Sequence, residues 1–361
     1  MPDEPRYASS APVVKVDGQR QPDVARDLLR LDVEESTDGL RTLHLHVIGS
    51  AARERPNTDV VEYLDGSVFD FGKRIEVSLG PPGNEKIVFT GTISGIEVSF
   101  EEGDVPHVTL LAEDDLMKLR MTQRSATYEK KSDADIASEI AKEHSLQADV
   151  AADGPSYDVV QQLHQSDLAF LRERARRVAA EVWTSDGKLH FATRDRRTGT
   201  TVKLVRGGNL VAVEACADLA HQCSSVIVSG YDASTRSAID EKAAGSEVEA
   251  ETSGGRTGPR TLTNALGELP AQRIDAVPVS TDEAKAWAKA ELLRRARRFV
   301  TVRGSTSGTP EMVVGSRATL ERCGKPFDGD GYYVTRIHHA YDVATGFRTR
   351  FHAERATVNE R

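Results

Sequence analysis

A block with helical periodicity, Thr127–Val182, interrupts a chain whose other segments alternate apolar and polar residues with a period of two. Ser132–Asp135 has the composition of a helix N-cap with acidic residues in the first turn, and Ser166-Asp167 predicts a second N-cap. A polar connection ending at 161–167 is expected between the two helices. The chain is therefore predicted to be α+β and mainly antiparallel β, with a helical island between two β-rich arms.

Apolar residues at helical spacing predict the buried face of each island helix. In the first helix they are Ile136, Ala137, Ile140 and Ala141, and in the second Leu168, Leu171, Ala175, Val178, Ala179 and Val182. The opposite side of the second helix carries Arg172, Glu173, Arg174, Arg176 and Arg177. We interpret these charges as a solvated face, with contact to an acidic partner as the alternative.

Before the island, short strands and turns recur about every 8–12 residues, as in a small antiparallel barrel or sandwich. The predicted strands lie at 13–16, 28–33, 43–47, 71–79, 87–93, 96–100 and 108–112. Asp17-Gly18 supplies the tight turn after the first strand. We assign residues 1–121 to a first β-barrel domain and residues 122–200 to a small α/β domain that contains the island.

The second arm, 201–361, is predicted to be another small β-barrel. The hairpin 182–191, with Asp186-Gly187 at its turn, leads into it. Its strands are expected at 202–205, 210–213, 225–231, 300–304, 317–320, 332–339 and 346–355. Residues 235–279 are predicted to form a long loop, because Thr235–Pro259 is acidic and almost free of large apolar residues.

A third helix, 281–299, follows that loop and is expected to pack on the second barrel. Ser280–Glu283 predicts its capping box. Its apolar stripe is Ala284, Trp287, Ala288, Leu292, Ala296 and Phe299. The basic run Arg294–Arg298 lies at its C-terminal end, where cations complement the helix dipole.

Composition and charge exclude several classes of protein. The net charge of −9 argues against a nucleic-acid-binding surface. No run of 18 apolar residues is present, so no membrane insertion is expected, and the Pro-rich, acidic N-terminus does not read as a signal peptide. We therefore expect assembly in the cytoplasm. The three cysteines, Cys216, Cys223 and Cys323, are expected to be buried or partly buried thiols.

No motif for catalysis or for a phosphate-binding loop is present, and we predict no catalytic, cofactor-binding or metal-binding residues and no enzymatic activity. His44 and His46 share a strand face, yet no Cys or carboxylate supports a metal site beside them. His338 and His339, with Asp342 nearby, are adjacent on a strand and must point to opposite faces. Packing is the favoured role for this pair.

Three segments together resemble the hub proteins of contractile tails, namely the phage late-control D family, the tail-hub proteins of contractile phages and the N-terminal part of the type VI secretion spike. The segments are Phe71–Leu119 with Phe89-Thr90-Gly91-Thr92-Ile93 inside it, the island motifs Ser132–Ala137 and Gln165–Leu171, and the closing strands Gly331–His339 and Gly346–Phe351. The resemblance covers nearly the whole chain.

This resemblance implies a structural baseplate hub subunit that forms a homotrimer. Two similar barrels per subunit would make a pseudo-sixfold ring, joining the sixfold inner tail tube to the threefold spike. The implied partners are a spike protein, the tail-tube protein and other baseplate components. Since the chain ends at Arg361, the needle is expected to be a separate polypeptide, as in phage tails and extracellular injection particles. An injection particle is slightly favoured over a phage tail.

Two other classes of function remain as alternatives. A cell-wall-degrading tail-tip enzyme would need an acid–base pair, for which the island offers Glu139, Glu143 and Glu173. A glycan-binding or peptidoglycan-binding module would use the island as its binding surface. The acidic stretch Thr235–Pro259 is a candidate for contact with a neighbouring subunit.

Overall fold

Antiparallel β-strands dominate the computed structural model, which describes residues 11–49, 61–273 and 277–359. In chain order the strands are β1 Val13–Val16, β2 Gln19–Arg20, β3 Leu28–Ser36, β4 Thr42–Ile48, β5 Arg74–Leu79, β6 Lys86–Ser99, β7 His107–Glu113, β8 Gln123–Ser132, β9 Gln147–Ala151, β10 Ser156–Ser166, β11 Ala180–Ser185, β12 Lys188–Thr193, β13 Thr201–Val205, β14 Leu210–Ala217, β15 Ser225–Asp232, β16 Ser237–Ala244, β17 Arg256–Thr257, β18 Ala271–Arg273, β19 Val300–Thr306, β20 Arg317–Glu321, β21 Gly329–Asp342, β22 Gly346–Arg355 and β23 Thr357–Val358. The predicted α+β class, mainly antiparallel β, is confirmed.

Seven helices lie among the described residues. They are α1 Pro22–Asp27, α2 Leu116–Met121, α3 Asp133–Glu143, α4 Asp167–Arg177, α5 Ser246–Glu249, α6 Gly258–Leu266 and α7 Thr281–Ala296. In this described part of the chain, no helix combines the length and the apolar composition that crossing a bilayer requires.

One 13-stranded sheet contains strands from both arms, while β15, β16 and β18 of the second arm form a separate sheet and β17 pairs with β23. Its order is β14-β19-β22-β21-β3-β4-β7-β6-β5-β1-β2, with β20 and β13 attached beside β21. The two arms meet where β21 pairs antiparallel with β3, from Arg336 opposite Ser36 to Asp342 opposite Arg30. The two arms are therefore hydrogen-bonded to each other directly, through β3 and β21, and not by way of the island.

Alternating residues of the first arm form its core, as the pattern predicts. On β4 the three apolar residues at 43, 45 and 47 are fully buried, and so are Ile75, Val77 and Leu79 on β5. The prediction of two separate strands at 87–93 and 96–100 is wrong. They form a single strand, β6, whose pairing with β7 shifts register between Ile93 and Gly95. A β-bulge bends the strand there without ending it.

The polar connection predicted inside the island is wrong. Residues 156–166 form β10, which pairs with β8 in a two-stranded sheet. Polar side chains alternate with buried ones on this strand, since Tyr157, Val160 and Gln162 point inward. A strand with one solvated face can look like a loop in sequence because half of its residues are polar.

Both island helices begin where predicted. Ser132 caps α3 by accepting a hydrogen bond from the Asp135 backbone N–H, while the Asp135 carboxylate accepts one from the Ser132 backbone. Ser166 caps α4 through the Ala169 backbone N–H. The predicted core face of α4 is too long, because the helix ends at Arg177 and Ala179 has φ of 56°. Val182 belongs to β11 instead.

The long loop predicted for 235–279 is also wrong where the structure describes it. This segment contains β16, α5, β17, α6 and β18. Strand β16 pairs with β15 along its whole length, from Ser225–Ala244 to Asp232–Ser237. Ile239 and Ala243 form the buried face of β16. Two apolar residues are enough to hold the strand in place because helix α7 covers them. Residues 274–276 lie outside the described residues.

Helix α7 is confirmed, although it ends at Ala296 rather than at 299. Ser280 accepts a hydrogen bond from the Glu283 backbone N–H, and the Glu283 carboxylate accepts one from the Val279 N–H. The stripe from Ala284 to Ala296 is buried. Its partner is the three-stranded sheet β16-β15-β18. Helix α7 thus packs on β15, one of the strands predicted for the second arm, and on β16, within a sheet that is separate from the 13-stranded one.

Candidate functional site

A cluster of buried charges lies where the island meets both arms, and we call it the ionic junction. Its members are Glu35, Arg41, Glu181, Arg194, Arg197, Tyr333 and Glu354. They come from β3, the turn before β4, β11, the turn after β12, β21 and β22. Ion pairs and hydrogen bonds thus hold together, at one place, segments that lie far apart in the sequence.

Arg197 is the centre of the junction. Its guanidinium donates to Glu35 Oε1 at 2.7 Å and to Glu181 Oε2 at 3.0 Å. The side chain is 4% exposed, and its guanidinium carbon lies 4.8 Å from the centre of the Trp183 ring. Arg41 donates to the other oxygen of Glu35 at 2.8 Å. One arginine therefore links the first arm to the island.

Arg194 makes the corresponding link to the second arm. It donates to Glu181 Oε1 at 3.0 Å and forms an ion pair with Glu354 at 2.5 Å. The Tyr333 hydroxyl donates to Glu181 Oε2 at 2.7 Å. The guanidinium of Arg194 also lies 4.5 Å from the centre of the Tyr333 ring, a cation–π distance.

The electrostatics of the junction follow from burial and pairing. Burial alone would raise the pKa of Glu35, but Arg41 and Arg197 outweigh it and the pKa is lowered. Burial raises the pKa of Tyr333, and the adjacent Glu181 carboxylate raises it further. Glu35 therefore stays charged and Tyr333 neutral near pH 7. The arrangement can hold the island and the two arms together.

A groove of about 590 Å³ opens beside the junction, and we call it the arginine groove. Seven arginines line it: Arg172, Arg176, Arg194, Arg294, Arg297, Arg298 and Arg336. Three acidic residues also line it, Asp38, Glu181 and Glu354. The groove brings together the basic side of α4 and the basic end of α7, two features that are more than 100 residues apart in sequence.

The interpretation of the α4 charges as a solvated face is only partly right. Arg174 is buried, donates to Asp133 Oδ1 at 2.5 Å and stacks over the Tyr157 ring at 4.3 Å. Arg172 lines the arginine groove, and its Nε and Nη2 atoms are buried without a hydrogen-bond partner among the described residues. Arg176 is exposed, as predicted.

The histidine pairs occupy the positions that strand geometry predicts. His338 Nε2 lies 2.7 Å from Asp32 Oδ1, whereas His339 points into the core between Thr349 Oγ1 and the Met312 carbonyl, at 2.9 and 3.0 Å. His44 is exposed, and His46 Nδ1 lies 2.9 Å from Thr109 Oγ1. Among the described residues no group of three metal-ligating side chains is arranged to hold an ion.

The other sequence candidates lie apart from the junction. Glu139 is paired with Lys131, Glu143 with Arg124 and Glu173 with Arg177. Cys223 is buried and Cys323 partly buried, but Cys216 is exposed on β14, which corrects that part of the cysteine prediction.

The junction itself was missed by sequence reasoning. Glu35 stands at an inward position of β3, and Glu181 is buried on the face of β11 opposite Ala180 and Val182; a buried charge signals a buried partner. The run Arg194-Asp195-Arg196-Arg197 after a strand looks like an ordinary polar turn. Only the tertiary fold places two of its arginines against carboxylates from β3 and β11.

A family model described as Alg8 N-terminal domain matches residues 9–342. No curated protein matches the chain at a significant level. Among solved structures, the 43 kDa tail protein of prophage MuSo2 from Shewanella oneidensis is similar with a TM-score of 0.69 and 14% identity, over 96% of this chain and 98% of that one.

Two further solved structures are similar over most of the chain. A tail protein from Neisseria meningitidis MC58 has a TM-score of 0.63 and 14% identity, with 95% of this chain and 96% of that chain covered. The E. coli c3393 protein has a TM-score of 0.58 and 10% identity, with 95% and 76% covered. It is described as a type VI secretion component similar to the T4 tail proteins gp27 and gp5. At these identities the comparisons establish a shared fold.

Proposed function

We propose that this chain, which belongs to the Alg8 N-terminal domain family, is a structural hub subunit in the baseplate of a contractile tail or injection system. The observation that carries the proposal is end-to-end similarity in fold to a prophage tail protein and to a second tail protein, with 98% and 96% of those two chains covered. A match of this extent concerns the whole architecture, including the island and the joined arms, rather than one common domain.

The proposed assembly is a homotrimer in which each subunit contributes two similar barrels, within residues 1–121 and 201–361, to a pseudo-sixfold ring. Residues 122–200 form the intermediate domain. The continuous sheet supports this assignment, because its two halves are joined side by side through β3 and β21. The ring would join a sixfold inner tail tube to a threefold spike within a phage tail or phage-like particle assembled in the cytoplasm.

The proposed partners are the spike protein, the tail-tube protein and other baseplate components. The description of the E. coli type VI component as similar to T4 gp27 and gp5 supports a place beside the spike. Subunits of such a ring need extended polar surfaces, since repeated symmetric contacts provide the affinity.

We also propose that the chain has no catalytic role. The carboxylates that an acid–base mechanism would use, Glu139, Glu143 and Glu173, each have a cationic partner. The carboxylates of the ionic junction are likewise paired with arginines. A peptidoglycan-hydrolysis assay on the purified protein tests this, and turnover abolished by Glu139→Gln or Glu143→Gln would refute it.

The hub proposal is tested by native mass measurement of the chain alone and mixed with a candidate spike protein. We expect a trimer that captures three spike chains. A protein that stays monomeric at all concentrations and ignores the spike would contradict the proposal.

A further inference from the structure

We propose that the arginine groove receives the acidic hairpin tip between β6 and β7 of a second copy of this chain. The tip comprises residues 100–105, Phe100-Glu101-Glu102-Gly103-Asp104-Val105. The inference rests on the proposed function, in which identical subunits form a closed ring, and it identifies one contact by which neighbours recognise each other.

The groove contains arginines whose hydrogen-bonding groups the described part of the chain leaves partly unused, although the charges of Asp38 and Asp114 favour the cationic form of Arg172. Arg172 has two buried guanidinium nitrogens without a partner among the described residues, and burial lowers its pKa. The exposed side chain of Arg298 has no ion pair in the same described part of the chain. A desolvated guanidinium without an acceptor is costly, so a carboxylate entering the groove would relieve an existing penalty.

Small apolar residues lie among the charged and hydroxyl-bearing residues that line the groove, the latter being Ser36, Thr37 and Thr335. Ala175, Ala179 and Ala290 line it between the arginines, which leaves a volume of about 590 Å³. That volume accommodates a few side chains of an incoming turn. The groove therefore suits a ligand that combines carboxylates with an apolar group.

The hairpin tip has this composition. Glu101, Glu102 and Asp104 are exposed, and neither glutamate has an ion pair or hydrogen bond among the described residues. Asp104 accepts from the Val105 backbone N–H at 2.7 Å and lies 3.8 Å from His107 Nε2.

Apolar side chains accompany these carboxylates at the tip. Phe100 is 68% exposed, Val98 37% and Val105 38%. Together, the exposed Phe100 and the two partly exposed valines give the tip an apolar surface that a partner would cover. Acidic and apolar groups thus occur together on the tip, as basic and apolar groups do in the groove.

The acidic segment that the sequence suggested for contact with a neighbour is less suitable. In helix α5 and just after it, Glu247 is paired with Lys289 at 3.0 Å and Glu251 with Arg297 at 2.7 Å. These carboxylates bind the α7 helix of the same subunit. The tip of the β6–β7 hairpin keeps its glutamates available.

The contact would be heterologous, because tip and groove are different surfaces of one subunit. Each copy would insert its tip into one neighbour and receive the tip of another, and such head-to-tail contacts generate a ring when the rotation closes. Charge complementarity at each repeat would also fix the direction of the ring.

A charge exchange tests the contact in the full-length chain. The groove variant is Arg176→Glu with Arg298→Glu, two exposed positions, of which Arg176 has a surface ion pair with Asp38 at 3.3 Å. The tip variant is Glu101→Lys with Glu102→Lys. We expect each variant to raise the concentration at which the trimer half-dissociates by at least about tenfold, since like charges then face each other. Combining all four substitutions should restore assembly to within about threefold of wild type.

Sedimentation and native mass measurements over a concentration series provide the readout, with circular dichroism to verify folding. Arg20→Glu and Asp153→Lys, at exposed positions away from both surfaces, are the matched controls. Two outcomes would overturn the contact and leave the hub proposal standing, provided that the wild type is a trimer. Either the groove or tip variant assembles as well as wild type, or the combined variant does not regain assembly. A wild type that never trimerises would remove both.

Discussion

His339 makes the stability of the fold depend on pH. The imidazole is fully buried between Thr349 and the Met312 carbonyl. Burial lowers its pKa from 6.5 to about 4, and the charges of Arg41 and His338 oppose protonation while Glu35 favours it. The unfolded chain therefore takes up a proton first as the pH falls, so the contribution of this residue is complete above pH 6.5 and is lost progressively towards pH 4.

We accordingly expect wild type to lose about 2 kcal/mol more unfolding free energy between pH 7 and pH 5 than His339→Gln, at about 1.4 kcal/mol per pKa unit. Urea denaturation of both proteins at the two pH values measures the difference. Subtracting one pH dependence from the other cancels the contributions of the titrating groups that both proteins share. An identical pH dependence in the two proteins would contradict the assignment.

Arg197 is expected to be the most sensitive residue of the ionic junction. Arg197→Met leaves Glu35 and Glu181 each without one buried partner, which should cost about 3–5 kcal/mol in unfolding free energy. Adding Glu35→Gln should recover part of that loss, because the uncompensated charge is removed. Denaturant unfolding of the single and double variants measures both effects.

Arg196 provides the matched control on the same turn. Its side chain is 69% exposed, and the ion pair that it forms with Asp195 is also on the surface. Arg196→Met should change the unfolding free energy by no more than about 0.5 kcal/mol. Equal costs for the two arginine variants would mean that the junction contributes nothing particular to stability.

Among the elements, strand β6 contains a glycine, Gly91, at a position that has no room for a side chain. A Cβ on Gly91 would overlap the Glu113 carbonyl oxygen and lie 2.5 Å from a ring carbon of Phe89. Gly91 is thus required because β6 and β7 approach each other closely there. The sequence pattern instead predicts that one strand ends and another begins shortly after this glycine. Gly91→Ala should destabilise the protein by about 1–3 kcal/mol through overpacking, measured by thermal or urea unfolding.

Gly245 is the control for this substitution. A Cβ there would meet only the Pro259 Cβ at 3.7 Å, and its φ of −55° suits alanine. Gly245→Ala should therefore be neutral or slightly stabilising. Destabilisation of similar size at both positions would show that loss of glycine, rather than the close approach at β6, is responsible.

The elements that could be predicted are those with a strong local signal. Ser132 and Ser166 start helices because their side chains satisfy free backbone N–H groups, an effect confined to four residues. Strand β16 lacks such a signal, since only Ile239 and Ala243 give it a buried face and β15 and α7 supply the remaining stabilisation. The junction was equally hidden, because Arg197 finds Glu35 across 162 residues of sequence.

For the whole molecule, the shared sheet has a consequence for unfolding. Strand β3 is hydrogen-bonded to β21 on one side and to β4 on the other, so neither arm can unfold without exposing an edge of the other. The ionic junction adds the island to the same unit, since Glu181 of β11 is held by arginines that also bind β3 and β22. Loss of one part should therefore destabilise the rest.

We expect far-ultraviolet circular dichroism and tryptophan fluorescence to report the same urea midpoint. Circular dichroism follows mainly the strands of the large sheet, while the two tryptophans report elsewhere: Trp183 lies in the island beside Arg197, and Trp287 lies on α7 under Arg177. Coincident transitions are the signature of a single cooperative unit. Arg197→Met should then lower both midpoints together. If the fluorescence transition instead precedes the circular dichroism transition by more than about 0.5 M urea, the island unfolds independently and the junction does not couple it to the arms.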